Sequence, residues 1–129
     1  MARSGWIETW VTATSALIVR LPTMMVLVTD ERAVNHRAGP HHPESPERLE
    51  AVLRATRSGA VRDGIVRLEP RAATPTELAR VHDASMLAAL DSVRGRSVQL
   101  DPDTAVSPES VDIAERGAGA GLTAVEALR

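Results

Sequence analysis

Twelve residues, Asn35 to Pro46, hold three His, three Pro and one Gly, and no regular backbone can run through them. On one side stands Val26-Leu27-Val28-Thr29, a short β-branched apolar run that fits a buried parallel strand opening into Asp30-Glu31-Arg32. On the other side Ser45-Pro46-Glu47-Arg48 starts a helix, with Ser45 as N-cap, Pro46 at the first helical position and Glu47 facing the dipole. A long loop between a strand and a capped helix is usually a functional one. Leu49, Val52 and Leu53 are the expected buried stripe of that helix.

Gly59 and Gly64 punctuate its end, and Ile65-Val66-Arg67-Leu68-Glu69-Pro70 alternates as a second strand does. Strand, helix, strand is a crossover unit of a parallel sheet. Thr74-Pro75-Thr76-Glu77 repeats the capping logic and predicts a short helix through Val81, with His82 read most simply as a buried histidine bonding backbone. A further helix carries Met86, Leu87, Leu90 and Val93 on one face and closes at Gly95. Ser97 to Ser110, with Pro102 and Pro108, reads as a second loop before an Ala-rich helix from about Val111. Gly117, Gly119 and Gly121 each cost that helix about 1 kcal/mol relative to Ala. They make sense if something packs closely there.

At 129 residues the chain allows one domain or part of one. Phe and Tyr are absent, and Trp6 and Trp10 are the only aromatics, so the core lacks its largest usual side chains. A net charge of −2, with Arg spread among Asp and Glu, leaves no basic stripe for a phosphate backbone. Nucleic acid is therefore not expected as a direct partner. With no Cys, any metal must rest on His, Asp or Glu. The apolar run Trp10 to Val19 is too short to span a membrane and has Glu8 where a signal peptide is positive. Residues 1–23 are read as an upstream extension, a misplaced start or disorder, residues 24–129 as the folding portion, and the expected location is the cytoplasm.

His36-Arg37-Ala38-Gly39-Pro40-His41-His42-Pro43-Glu44-Ser45-Pro46-Glu47-Arg48-Leu49 resembles the first loop of bacterial histone deacetylase-like amidohydrolases. That superfamily also holds acetoin-utilisation and acetylpolyamine deacetylases. Ala73-Thr74-Pro75-Thr76-Glu77-Leu78, Val81-His82-Asp83 and Leu100-Asp101-Pro102-Asp103-Thr104-Ala105-Val106-Ser107-Pro108 follow in the family's order. The resemblance implies an α/β fold, the N-terminal part of an arginase/deacetylase-like parallel sheet flanked by helices and incomplete. The site then lies at the carboxyl ends of the strands. It also implies that Arg48 lines an internal channel for the acetate product, which its planar donor fork suits. Asp103 would accept hydrogen bonds from the substrate, with Asp101 as its structural neighbour and His42 and Glu44 pinning the first loop. The bare alternatives are a surface ion pair for Arg48 and a turn residue for Asp103.

The family's zinc ligands, its catalytic His pair and its Tyr have no counterpart here. The chain has no Tyr and no Asp-x-His, and His41-His42 precedes the first helix, so it is not that pair. No catalytic or metal-ligating residue is assigned, and no zinc is expected to be bound by this chain, although the intact family uses it. A metal site on His36, His41, His42 and Glu44 is chemically conceivable, but a Pro-rich loop rarely presets ligand geometry. Two functional readings follow. In one, the chain is the N-terminal portion of a zinc-dependent deacetylase of an acetylated lysine or polyamine-like amine, inactive alone. In the other, it is a truncated non-catalytic paralogue acting as an interaction module, self-associating through an exposed sheet edge, or a gene fragment.

Overall fold

A computed structural model of the chain describes residues 25–40 and 42–129. The expectations for residues 1–23, and any role of His41, lie outside the described residues.

β1 (Met25–Val28) and β2 (Ile65–Leu68) pair in parallel, with Met25 opposite Ile65 and Val28 opposite Leu68. The Met25 and Thr29 amides extend the ladder to the Gly64 and Leu68 carbonyls at 2.8 and 3.1 Å. A 3₁₀ turn (Glu31–Asn35), the His/Pro loop, α1 (Pro46–Thr56) and the short α2 (Gly59–Asp63) lie between the two strands. This is the crossover expected from the strand, loop and helix pattern. β2 leads through an extended segment to α3 (Pro75–Leu78) and α4 (Ala84–Ser92). An antiparallel hairpin of β3 (Val98–Asp101) and β4 (Thr104–Val106) then delivers the chain to α5 (Ser110–Ala127).

Helix starts are largely local chemistry. Thr74 and Glu77 form a reciprocal capping box, and Asp83 caps α4 by accepting from the Met86 amide at 2.8 Å. Ser45 sits extended before Pro46, but its hydroxyl makes no cap bond. It turns instead to Glu47, whose carboxyl is held below the ordinary carboxylate range by its own backbone amide and then by Ser45.

The long helix α5 is bound to the segment after β2. The Ala73 amide donates to the Glu115 carbonyl at 2.9 Å, the Arg71 amide to the Thr123 hydroxyl at 3.3 Å, and Arg116 donates to the Pro70 carbonyl at 2.7 Å. Gly119 lies at the centre of this contact, where a Cβ would stand 1.8 Å from the Arg71 carbonyl oxygen. Close packing is thus the reason for that glycine. Gly117 and Gly121 have nothing within 4 Å of an added Cβ, so the same reason does not extend to them.

The core is small: Val93, Val106 and Val111 cluster with Val98 packed against them, and Leu53 and Ala73 are buried elsewhere. No described side chain is fully buried. Several expectations change accordingly. Val52 is 55% exposed and Met86 42% exposed, because both line an open groove between helices and are not packed against one another. His82 is exposed, not buried. The stretch Ser97 to Ser110 is not a plain loop. Its two prolines stand outside the paired residues, Pro102 in the turn and Pro108 after β4, so they leave the ladder intact. No helix among the described residues is long and apolar enough to cross a membrane.

Candidate functional site

The His/Pro loop leaves the carboxyl end of β1 and is fastened, 70 or more residues along the chain, to the junction of β4 and α5. The His36 Nδ1 lies 2.7 Å from the Ser110 hydroxyl, and the Arg37 amide donates to the Ser107 hydroxyl at 3.2 Å. Ser107 in turn donates to the Asn35 carbonyl at 3.2 Å, and the Asn35 amide group donates to Glu109 at 2.8 Å. Ser107 is buried, and its own amide is satisfied by Ser110 at 2.8 Å. Two hydroxyls, each both donor and acceptor, thus close a polar network that would otherwise be costly to bury.

Asp30, two residues beyond β1, caps the 3₁₀ turn by accepting from the Arg32 amide. Burial works against its ionisation, yet the Arg32 side chain and amide, with the charges of Arg32 and Arg116, outweigh it and hold the carboxyl below its ordinary value. Arg116 reaches Asp30 at 3.4 Å from α5, so one guanidinium joins the turn after β1 to the segment after β2.

His42 and Glu44 lie within the loop itself: the Glu44 amide donates to His42 Nδ1 at 3.1 Å. The Glu44 carboxylate also lies 3.6 Å from His36 Nε2. Arg48, in the first turn of α1, donates to the Pro43 carbonyl at 3.1 Å and has no carboxylate partner among the described residues. Asp101 and Asp103 sit at the tip of the β3–β4 hairpin. The Asp103 amide donates to Asp101 at 2.8 Å, and the Thr104 side chain, then that amide, hold the Asp101 carboxyl below its ordinary range. The Asp103 side chain is exposed.

Glu44, Arg48 and His36 face a common groove of about 1280 Å³, which continues over apolar side chains of α1, α4 and α5. Asp101 and Asp103 are not among its walls, and His42 faces a separate hollow of about 530 Å³ with Arg37 and Glu47. The structure therefore brings Arg48 to Glu44 and His36, and leaves Asp103 on the hairpin rim. Sequence reasoning missed the clamp residues Asn35, Ser107, Glu109 and Ser110. The one signal was Ser107-Pro108-Glu109-Ser110, two hydroxyls around a proline at a helix start.

Two arginines organise the flanks. Arg71 is shared between Glu77 at 2.7 Å and Glu126 at 2.8 Å, and its pKa is raised by those hydrogen bonds. Glu77 is correspondingly lowered to about 2, first by Arg71 and then by the Thr74 amide and hydroxyl. Arg94 joins Glu115 at 2.6 Å, Asp91 at 2.9 Å and Asp112, tying α4 to α5 beside the groove.

Zinc requires three or four converging ligands. His36 and Glu44 are the nearest approach to a set, His36 is already engaged by Ser110, and no group of three such residues converges among the described residues. These residues do not fit a zinc centre.

A family model described as the histone deacetylase domain matches residues 42–129. An uncharacterised protein of Synechocystis sp., slr0245, is 32% identical over 109 residues, which are 80% of this chain and 35% of that protein. The crystal structure of the HDA15 HD domain is similar with a TM-score of 0.66 at 28% identity, over 74% of this chain and 29% of that one. The chain spans about a third of the length of the relative and of the structure that it matches.

Proposed function

The chain belongs to the histone deacetylase domain family, and from that premise we propose that it forms one side of a zinc-dependent site that hydrolyses the amide of an acetylated lysine or polyamine-like substrate. The observation that carries this reading is the fastening of the loop that leads into the Arg48-bearing helix to the β4–α5 junction through His36 and Ser110. It holds the loop rigid at the carboxyl end of β1, where parallel sheets place their ligands.

Arg48 offers a planar donor fork to the acetate product. Asp103, exposed on the hairpin, offers acceptors to a substrate backbone. Zinc would supply the Lewis acidity of the family reaction, from ligands that the described residues do not provide. On this reading the chain alone does not catalyse, and its setting is the cytoplasm.

The experiment is a chimera in which residues 42–129 replace the matching segment of a catalytically competent deacetylase of the family. Metal-dependent deacetylation of an acetyl-lysine peptide or an acetylpolyamine supports the reading. A chimera that folds and loads metal yet turns over neither contradicts it. One observation favours a second reading, a self-associating interaction module: β1 and β2 form a two-stranded sheet with no further strand on either edge among the described residues.

A further inference from the structure

His42 and Arg48 bond to opposite poles of one peptide group. The Glu44 amide donates to His42 Nδ1 at 3.1 Å, and the Pro43 carbonyl accepts from Arg48 Nη1 at 3.1 Å. That N–H and that C=O both belong to the Pro43–Glu44 peptide, which is planar and trans, so they point to opposite sides. Arg48 lines the apolar groove, while His42 lines the separate hollow beside it. The peptide therefore stands between the two side chains and relates the direction of one to the other.

The sequence restricts His42 to this partner. Pro43 has no N–H, so the first amide beyond His42 that its ring can accept from is that of Glu44. The proline ring also fixes φ at 43, which leaves ψ of Pro43 and φ of Glu44 as the rotations open to the peptide plane. A hydrogen bond at each pole opposes that motion, and each polarises the peptide so as to strengthen the other. Because Nδ1 accepts, a neutral His42 carries its proton on Nε2. The Glu44 carboxylate, 3.6 Å from His36 Nε2, anchors the side chain of that residue but neither pole of the peptide.

We propose that His42 is the positioning residue of Arg48, acting through the Pro43–Glu44 peptide without touching substrate or product. This rests on the reading of Arg48 as a donor to the acetate product. Arg48 has no carboxylate partner among the described residues, so the Pro43 carbonyl is what aims its guanidinium. One bond from Nη1 to a fixed carbonyl selects a direction for the long side chain and leaves the other donors of the fork for an anion. Without the Nδ1 acceptor the Glu44 amide turns to water, the peptide plane rotates, and the carbonyl that holds Arg48 rotates with it.

The test is a cycle of variants in the chimera that carries residues 42–129, read by kcat and by inhibition with acetate. His42→Ala should lower kcat about fivefold, the equivalent of one neutral hydrogen bond, and weaken acetate inhibition in step. His42→Asn should restore both, because an Asn side-chain oxygen accepts from the amide two residues on in the same way. In the Arg48→Ala background His42→Ala should change neither, since nothing is left to aim. Equal losses in both backgrounds, or no restoration by Asn, overturn the proposal. A second measurement needs no turnover. In the full 129-residue chain, labelled with nitrogen-15, His42 should show an unprotonated Nδ1, and His42→Ala should speed hydrogen exchange at the Glu44 amide and the Arg48 guanidinium together. Exchange that rises at Glu44 alone, or at neither, overturns the linkage. A wild-type chimera that loads metal yet turns over no substrate removes the deacetylase reading, and coupled exchange in the chain then leaves the linkage standing.

Discussion

Gly119 of α5 touches the backbone of Arg71, so closely that a methyl group at 119 would stand 1.8 Å from the Arg71 carbonyl oxygen and 2.9 Å from the Ala73 amide nitrogen. Both obstacles are backbone, and neither can swing aside. Gly119→Ala is expected to cost at least about 3 kcal/mol by pushing α5 off the segment after β2. Gly117→Ala and Gly121→Ala meet nothing within 4 Å and should each stabilise by up to about 1 kcal/mol through helix propensity. Urea melts of the three variants check this, and equal effects at all three positions would contradict the contact.

The loop clamp makes a separate prediction. His36→Ala removes the imidazole that meets Ser110, and should cost about 1 kcal/mol while freeing the loop. Amide exchange at Arg37, whose N–H donates to Ser107, should speed up. Unaltered exchange there would mean that the loop is held by something other than this network.

The pH dependence follows from Glu77. Its carboxyl is lowered from 4.5 to about 2 by Arg71 and by the Thr74 amide and hydroxyl, so the folded state binds its proton less readily than the unfolded chain. The contribution is fully present above the unfolded value of 4.5 and is lost as pH falls through about 2. The urea midpoint of wild type should therefore exceed that of Glu77→Gln at pH 7, and the gap should narrow steadily below pH 4.5. A gap independent of pH would show that the carboxylate's charge is not what matters.

The parts of the fold that were legible in the sequence are those written in local chemistry. Thr74 and Glu77 announce their helix because a cap needs only residues three apart, and the βαβ unit follows from a β-branched run, a proline-started helix and an alternating run. The hairpin was obscured because Pro102 and Pro108 look like breakers until the register shows them outside the paired residues. Val52 and Met86 carry a core pattern but stay exposed, since periodicity reports a face and not what covers it. The clamp was illegible for a different reason. His36 and Ser110 are 74 positions apart, and nothing local to either names its partner.

The chain alone, titrated with zinc and offered an acetyl-lysine peptide or an acetylpolyamine, is expected to release no acetate. Metal-dependent release would show a competent site that the described residues do not account for.

The most direct test of the account is acetate release by the chimera carrying residues 42–129, compared with the same chimera bearing Arg48→Ala. Arg48 has no carboxylate partner among the described residues and faces the groove, so its loss should leave folding and metal loading intact. The account predicts that kcat falls about tenfold or more, the worth of one charge-assisted hydrogen bond to an anion, and that inhibition by added acetate weakens in step. A variant with unchanged kcat and unchanged acetate inhibition would contradict it.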